Sequence, residues 1–144
     1  MDKYKILISE VDNVLRPLGF RKSGQTFFYN KDGNIGIIDF QKARRSIAAS
    51  SFFTINLGVY SNALKVFDNF DVKSKPLISD CHWRKRIGFL LPAKKDYWWE
   101  INANTSLPGL IAEIINVLRS LAIYEIQKYI SDEDLEKSWM EGIS

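Results

Sequence analysis

"SFFTINLGVY", residues Ser51 to Tyr60, alternates its side chains with period two. Phe53, Ile55, Leu57 and Val59 fall on one side, and Phe52, Thr54 and Asn56 on the other. Successive side chains of a strand point to opposite faces. The stretch therefore reads as a strand with one face in a core and the other open, as in an antiparallel sheet packed on one side.

The flanking sequence extends the sheet. Upstream, "QTFFYN" and "IGIIDFQK" surround "KDGN", whose Asp32–Gly33 pair is a strong hairpin signal. Downstream, "HWRKRIGFLL" reads as a fourth strand, "PAKKD" as a turn and "YWWEINA" as a fifth strand. Most connections are too short for crossover helices, so the pattern predicts an antiparallel meander of about five strands. Two connections are longer. "ARRSIAAS" reads as a loop, and the 61–80 insertion holds Leu64, Phe67 and Phe70 in a short helix before a proline break.

Helical periodicity bounds the strands. Tyr4, Leu7, Ile8, Val11, Val14, Leu15 and Leu18 recur at steps of three and four, and Pro17 and Gly19 end that helix. Ser106 reads as an N-cap with Pro108 just inside the helix. Leu107, Leu110, Ile111, Ile114, Ile115, Leu118, Leu121 and Ala122 then form a broad apolar stripe, and the helix runs to about Ile130. "SDEDLEKSWMEG" reads as one more short helix ending at Gly142. With no repeat and no linker, the expectation is a single α+β domain over 1–144, its N-terminal and C-terminal helices packed on one face of the sheet.

Composition agrees with that class. The chain has 144 residues, 46% hydrophobic and 26% charged, with a net charge of +3 and a pI near 8.9. That is mildly basic, short of the charge density of an obligate nucleic-acid binder. One cysteine excludes an internal disulfide and points to a reducing compartment. "MDKYKILISE" lacks the features of a leader, and no apolar run is expected to approach the length of a membrane span. The expectation is a cytoplasmic protein with no membrane partner.

Strand parity also locates a candidate site. The helix-covered face takes Ile38, Phe40, Phe53, Ile55, Leu57, Val59, Ile87, Phe89, Leu91, Trp99 and Ile101. The opposite face collects Asp39, Gln41, Phe52, Thr54, Asn56, His82, Arg84, Arg86, Trp98, Glu100 and Asn102. Arg84 and Arg86, two apart, present parallel guanidinium groups suited to a carboxylate or phosphate. Gln41 and Asn56 serve as orienting amides, Trp98 as an apolar anchor, and Asp39, Glu100 and His82 complete the face. The same charges also read as cross-strand ion pairs on a solvated surface.

Other chemistries find little support. Cys81 and His82 are adjacent, so on a strand they face apart and make no nucleophilic dyad. One thiol and one imidazole are too few for a transition-metal site, and "SDEDLE" lacks the glycine and spacing of a calcium loop. There is no glycine-rich phosphate loop, no G-x-S-x-G elbow and no cofactor motif. Glu100 as a base opposite Arg86 would be an isolated catalytic feature. The clusters "QKARR" and "RKR", with Trp83, Tyr97 and Trp98 near the second, leave single-stranded nucleic acid as an alternative.

The strings "LRPLGFRKSGQTFFY", "DFQKARR", "FTINLGVY", "CHWRKRIGFLLP" and "DYWWEI", in that order, resemble a bacterial domain of unknown function, family 4304 (DUF4304). The resemblance runs from Leu15 to the long helix. It implies a cytoplasmic bacterial α+β domain and supplies no catalytic residues. By analogy with other small bacterial domains, it points to an immunity-like protein that neutralises a toxin. The expected function is a non-enzymatic binding module with no cofactor, taking a protein partner or a small anionic ligand on the polar sheet face. Nucleic-acid binding, or an enzyme acting on a small anionic substrate, are the alternatives.

Overall fold

A computed structural model describes residues 2–44, 49–61 and 75–131. The expected helix at Leu64–Phe70, the "SDEDLEKSWMEG" helix and Arg45 lie outside the described residues. Within them, helix α1 (Lys3–Leu15) precedes strands β1 (Arg21–Ser23), β2 (Thr26–Lys31), β3 (Asn34–Lys42), β4 (Ser51–Tyr60), β5 (Trp83–Arg86) and β6 (Trp99–Ile101). The helical C-terminal part comprises α2 (Leu107–Val117), a π-helical turn (Leu118–Ala122) and α3 (Ile123–Tyr129). The class is α+β, with an open antiparallel sheet and helices at both ends of the chain.

Local chemistry explains the boundaries. Asp2 caps α1 by accepting from the backbone N–H groups of Tyr4 and Lys5. A 3-10 turn through Pro17 ends the helix, and Gly19 takes a left-handed φ of 103° that an L side chain resists. The β2–β3 hairpin turns on Asp32 (φ 53°) and Gly33 (φ 88°), the two positive φ values that a tight Asp-Gly turn requires. Ser106 accepts from the Gly109 N–H at the start of α2.

The first five strands pair in chain order, while β6 pairs with β4. The β5 and β6 strands do not form the hairpin expected around "PAKKD". Arg86 to Trp83 lie opposite Asn56 to Val59, and Ile101 to Trp99 opposite Ser51 to Phe53. Both short strands run antiparallel to β4 along the same edge. They act as one edge strand interrupted by residues 87–98, which leave the sheet between them. Ile87–Leu90 is a 3-10 turn rather than strand. Parity therefore fails beyond Ile87, and Phe89 is 47% exposed instead of entering the core.

The core lies between the helices and one sheet face. From β3 to β6 it holds Ile38, Phe40, Phe53, Ile55, Leu57, Val59, Trp99 and Ile101, all buried. Phe53 stacks on Phe40 at 6.0 Å and on Trp99 at 5.5 Å, contacts worth about 0.5–1.5 kcal/mol each beyond burial. Leu7, Val11 and Leu15 of α1, with Leu110, Ile114, Leu118, Ala122 and Ile126, close the other side. Leu107–Tyr129 is long and apolar enough to cross a membrane by length and composition, though Glu113, Arg119, Glu125 and Lys128 interrupt the run. Its Leu110, Ile114, Leu118 and Ile126 are buried against the domain.

The α3 helix sits close on the sheet because β3 has no side chain at Gly36. A Cβ there would lie 2.5 Å from Ile126 Cγ2. Gly36→Ala is expected to destabilise the fold by about 1–3 kcal/mol through overpacking, measured by urea unfolding. Combined with Ile126→Ala, its added cost should shrink, because the clashing branch is gone.

Candidate functional site

The sheet face away from the helices carries two side-chain rows, fixed by the register. One row runs Ser23, Thr26, Asp39, Asn56, Arg86 across β1 to β5. The next runs Arg21, Phe28, Ile37, Gly58, Arg84. The first row is polar throughout. The second is apolar at its centre, with a gap at Gly58.

Segment 75–81 fills that gap. A Cβ on Gly58 would fall 2.6 Å from Cys81 Sγ and 3.2 Å from Ile78 Cδ1, so the absent side chain lets this segment approach the sheet. Ile78 and Cys81 pack with Phe28, Ile35, Ile37 and Tyr60 in a second, smaller apolar cluster. Only part of this face is therefore an open polar surface. Between the cluster and the polar row lies a cleft of about 590 Å³, floored by all five residues of that row and walled by residues 75–79.

From Thr26 to Arg86 the floor is a continuous hydrogen-bonded network. Thr26 Oγ1 donates to Asp39 Oδ1 at 2.7 Å, and Asn56 Nδ2 donates to Gln41 Oε1 at 2.8 Å and to Asp39 Oδ2 at 3.4 Å. Arg86 Nε donates to Asn56 Oδ1 at 3.1 Å, and its Nη2 to Gln41 Oε1 at 3.3 Å. The remaining Nη1 pairs with both Asp96 oxygens, at 3.1 and 3.3 Å. Asp96 also accepts from Trp98 Nε1 at 3.0 Å, and the Arg86 guanidinium stands 5.5 Å from the Trp98 ring centroid.

Asp96 reaches Arg86 because of Gly88. A Cβ at Gly88 would lie 2.2 Å from the Lys95 carbonyl oxygen and 2.7 Å from the Tyr97 nitrogen. Thr54 Oγ1, in the stretch of β4 between its two edge partners, donates to the Tyr97 carbonyl at 2.7 Å. These contacts seat the excursion and fix Asp96 and Trp98 at the end of the cleft.

Sequence reasoning treated Arg84 and Arg86 as equivalent. The structure separates them. All three nitrogens of Arg86 are engaged, which makes it a scaffold for the floor. Arg84 is exposed and has no hydrogen-bond or ion-pair partner among the described residues. Among the described residues, Lys75, at the Ser23 end of the cleft, has one side-chain contact, at 3.4 Å to Ser23 Oγ. Neither Lys75 nor Asp96 figured in the predicted site, since each comes from a connecting segment that period two does not place.

The cleft brings together Asp39, Gln41, Asn56, Arg84 and Arg86, with Trp98 attached through Asp96. Two expected members fall elsewhere. His82 precedes β5, is 3% exposed, accepts from the Ser61 N–H at Nδ1 (3.0 Å) and lies against Tyr60. It faces the end of the apolar cluster and not the arginines. Glu100 lies on β6 opposite Phe52, where Ser50 and Asn102 donate to it at 2.6 and 2.9 Å. Those hydrogen bonds hold its carboxyl below the ordinary value. The strand interruption carries it away from Arg86.

Cys81 and His82 make no dyad. The Cys81 thiol donates to the Leu77 carbonyl, and burial, reinforced by the Asp80 carboxylate, pushes it from 9.0 up to about 12. Among the described residues, no three His, Cys, Asp or Glu side chains gather as metal ligands.

An antiparallel sheet with helices on one face and a cleft on the other defines an α+β domain. The model of the domain of unknown function DUF4304 matches residues 11–129, most of the chain, and the protein belongs to that family. No curated protein and no solved structure matches the chain.

Three outcomes test this geometry. Arg86→Ala should cost about 1–2 kcal/mol in chemical denaturation, because it strips partners from Asn56, Gln41 and Asp96 at half-exposed positions. Arg84→Ala should change stability by less than about 0.5 kcal/mol. Cys81 should alkylate at pH 8 roughly a thousandfold more slowly than a free cysteine. Because folding raises its pKa, the thiol's contribution to stability is complete below the unfolded value and is lost as pH climbs towards about 12.

Proposed function

We propose that this protein is a non-enzymatic binding module that holds a carboxylate-bearing protein partner in the cleft on the sheet face opposite α1 and α2. An immunity-like role in the bacterial cytoplasm, in which the partner is a toxin, is the sharpest form of the reading. One observation carries it. Among the described residues, Arg84 presents a guanidinium with no hydrogen-bond or ion-pair partner, beside a cleft whose floor is already internally hydrogen-bonded. A guanidinium so placed is a bidentate donor for an incoming carboxylate. The preformed floor keeps the ordering cost of binding low.

The alternatives draw less support. Single-stranded nucleic acid would use Arg44, Arg45 and Trp98. The Trp98 ring already stands beside Arg86, its N–H is taken by Asp96, and the Asp39 carboxylate in the floor repels a phosphate backbone. An enzyme on a small anionic substrate would pair Glu100 with Arg86, which β6 keeps apart.

The test is affinity capture from the native host with wild-type and Arg84→Ala baits, then titration of the purified captured protein. Loss of Arg84 should weaken binding about ten- to a hundredfold while the melting temperature stays put. Equal affinity for both baits would overturn this choice of site.

A further inference from the structure

The cleft is long as well as polar. Its floor row crosses five strands, so at about 4.8 Å per strand it extends roughly 19 Å from Ser23 to Arg86. Lys75 stands at the Ser23 end and Arg84 at the other. Midway lies Asp39, where Thr26 and Asn56 each use one acceptor site and leave lone pairs on both oxygens. The charge sequence along the trough is thus positive, negative, positive.

We infer that the trough recognises an extended peptide segment of its partner with two acidic side chains four residues apart and a hydrogen-bond-donating side chain midway between them. The inference rests on the binding reading above and specifies its ligand. Two carboxylates that reach Lys75 and Arg84 must be separated by more than a small dicarboxylate spans. In an extended chain, residues four apart lie about 14 Å apart at Cα, point to the same side and splay a few ångströms further. The residue between them also points into the trough and meets Asp39, which selects lysine, asparagine or serine and rejects an acid. On a helix the same two acids would be only about 6 Å apart and could not bridge the cations. The apolar wall of Pro76, Leu77 and Ile78, with Leu77 68% exposed, suits the stems of such side chains.

The experiment titrates the full chain with capped synthetic peptides, read by fluorescence anisotropy. The reference probe is Gly-Glu-Ser-Lys-Ser-Glu-Gly. Its companions keep the composition but place the two glutamates adjacent or two apart. Another replaces the central lysine with glutamate, and a thymidylate oligomer of equal length serves as the nucleic-acid arm. The reference should bind at least about ten times more tightly than either respaced peptide and than the central-glutamate peptide. Lys75→Ala or Arg84→Ala should abolish the spacing preference, and Asp39→Asn should abolish the discrimination at the centre. Equal affinity across spacings, or tighter binding of the oligonucleotide, overturns the inference. If spacing proves irrelevant while the captured partner still depends on Arg84, the ligand pattern fails and the binding reading stands. If Arg84→Ala alters neither measurement, both fail.

Discussion

The pairing of β3 with β4 is the constraint on which the rest of this structure depends. Eight residue pairs, from Ile35 opposite Tyr60 to Lys42 opposite Phe53, hold one register. Side chains alternate along a strand, so a slip of one residue would exchange every position under the helices for one on the opposite face. Phe53, Ile55, Leu57 and Val59 would leave the helices, and Thr54, Asn56 and Gly58 would replace them. The loss of four large buried side chains makes that slip prohibitive, at about 1.5–3 kcal/mol each. The energy that stabilises the core therefore also aligns Asp39 with Asn56 on the other face. The polar floor gains its order from packing on the opposite side of the sheet.

Two missing side chains then shape what that register provides. Gly58 admits Cys81 and Ile78 onto the sheet and so raises one wall of the cleft. Gly88 admits the Lys95–Tyr97 backbone and so delivers Asp96 to Arg86. Each glycine works by absence, where a Cβ would collide with a later stretch of the chain. Neither has a positive φ, so close approach and not turn geometry explains both.

Parity in the sequence carried most of this architecture. Hydrophobic alternation placed Asp39, Gln41, Asn56, Arg84 and Arg86 on one face because each lies within a regular strand. It failed where strands stopped. "HWRKRIGFLL" alternates well enough to read as ten strand residues, but only Trp83–Arg86 pair with β4. His82 lies before that strand and Phe89 after it, so period two says nothing about either. Glu100 is on a strand, but one that resumes about a dozen residues later at the far end of β4. Its parity was informative about the face and uninformative about position along it. Lys75 and Asp96 fell outside the parity reading for the complementary reason, since tertiary contacts of loops leave no periodic trace, although Asp96 begins one of the strings that carry the family resemblance.

The separation of the two arginines follows from where the edge strand breaks. Arg86 is the last residue of β5, so its guanidinium meets the chain that leaves and returns through 87–98. There it finds Asp96, Gln41 and Asn56. Arg84, two residues earlier, lies opposite Gly58, where β4 offers no side chain to pair with. A cation paired on every nitrogen contributes rigidity, and an incoming anion would have to compete with Asp96 for it. A cation facing a glycine retains its field and its donors. The same tripeptide thus supplies one arginine that holds the cleft in shape and another that leaves it electropositive. The break in the strand makes that division, because a continuous β5 would have no returning loop to neutralise Arg86.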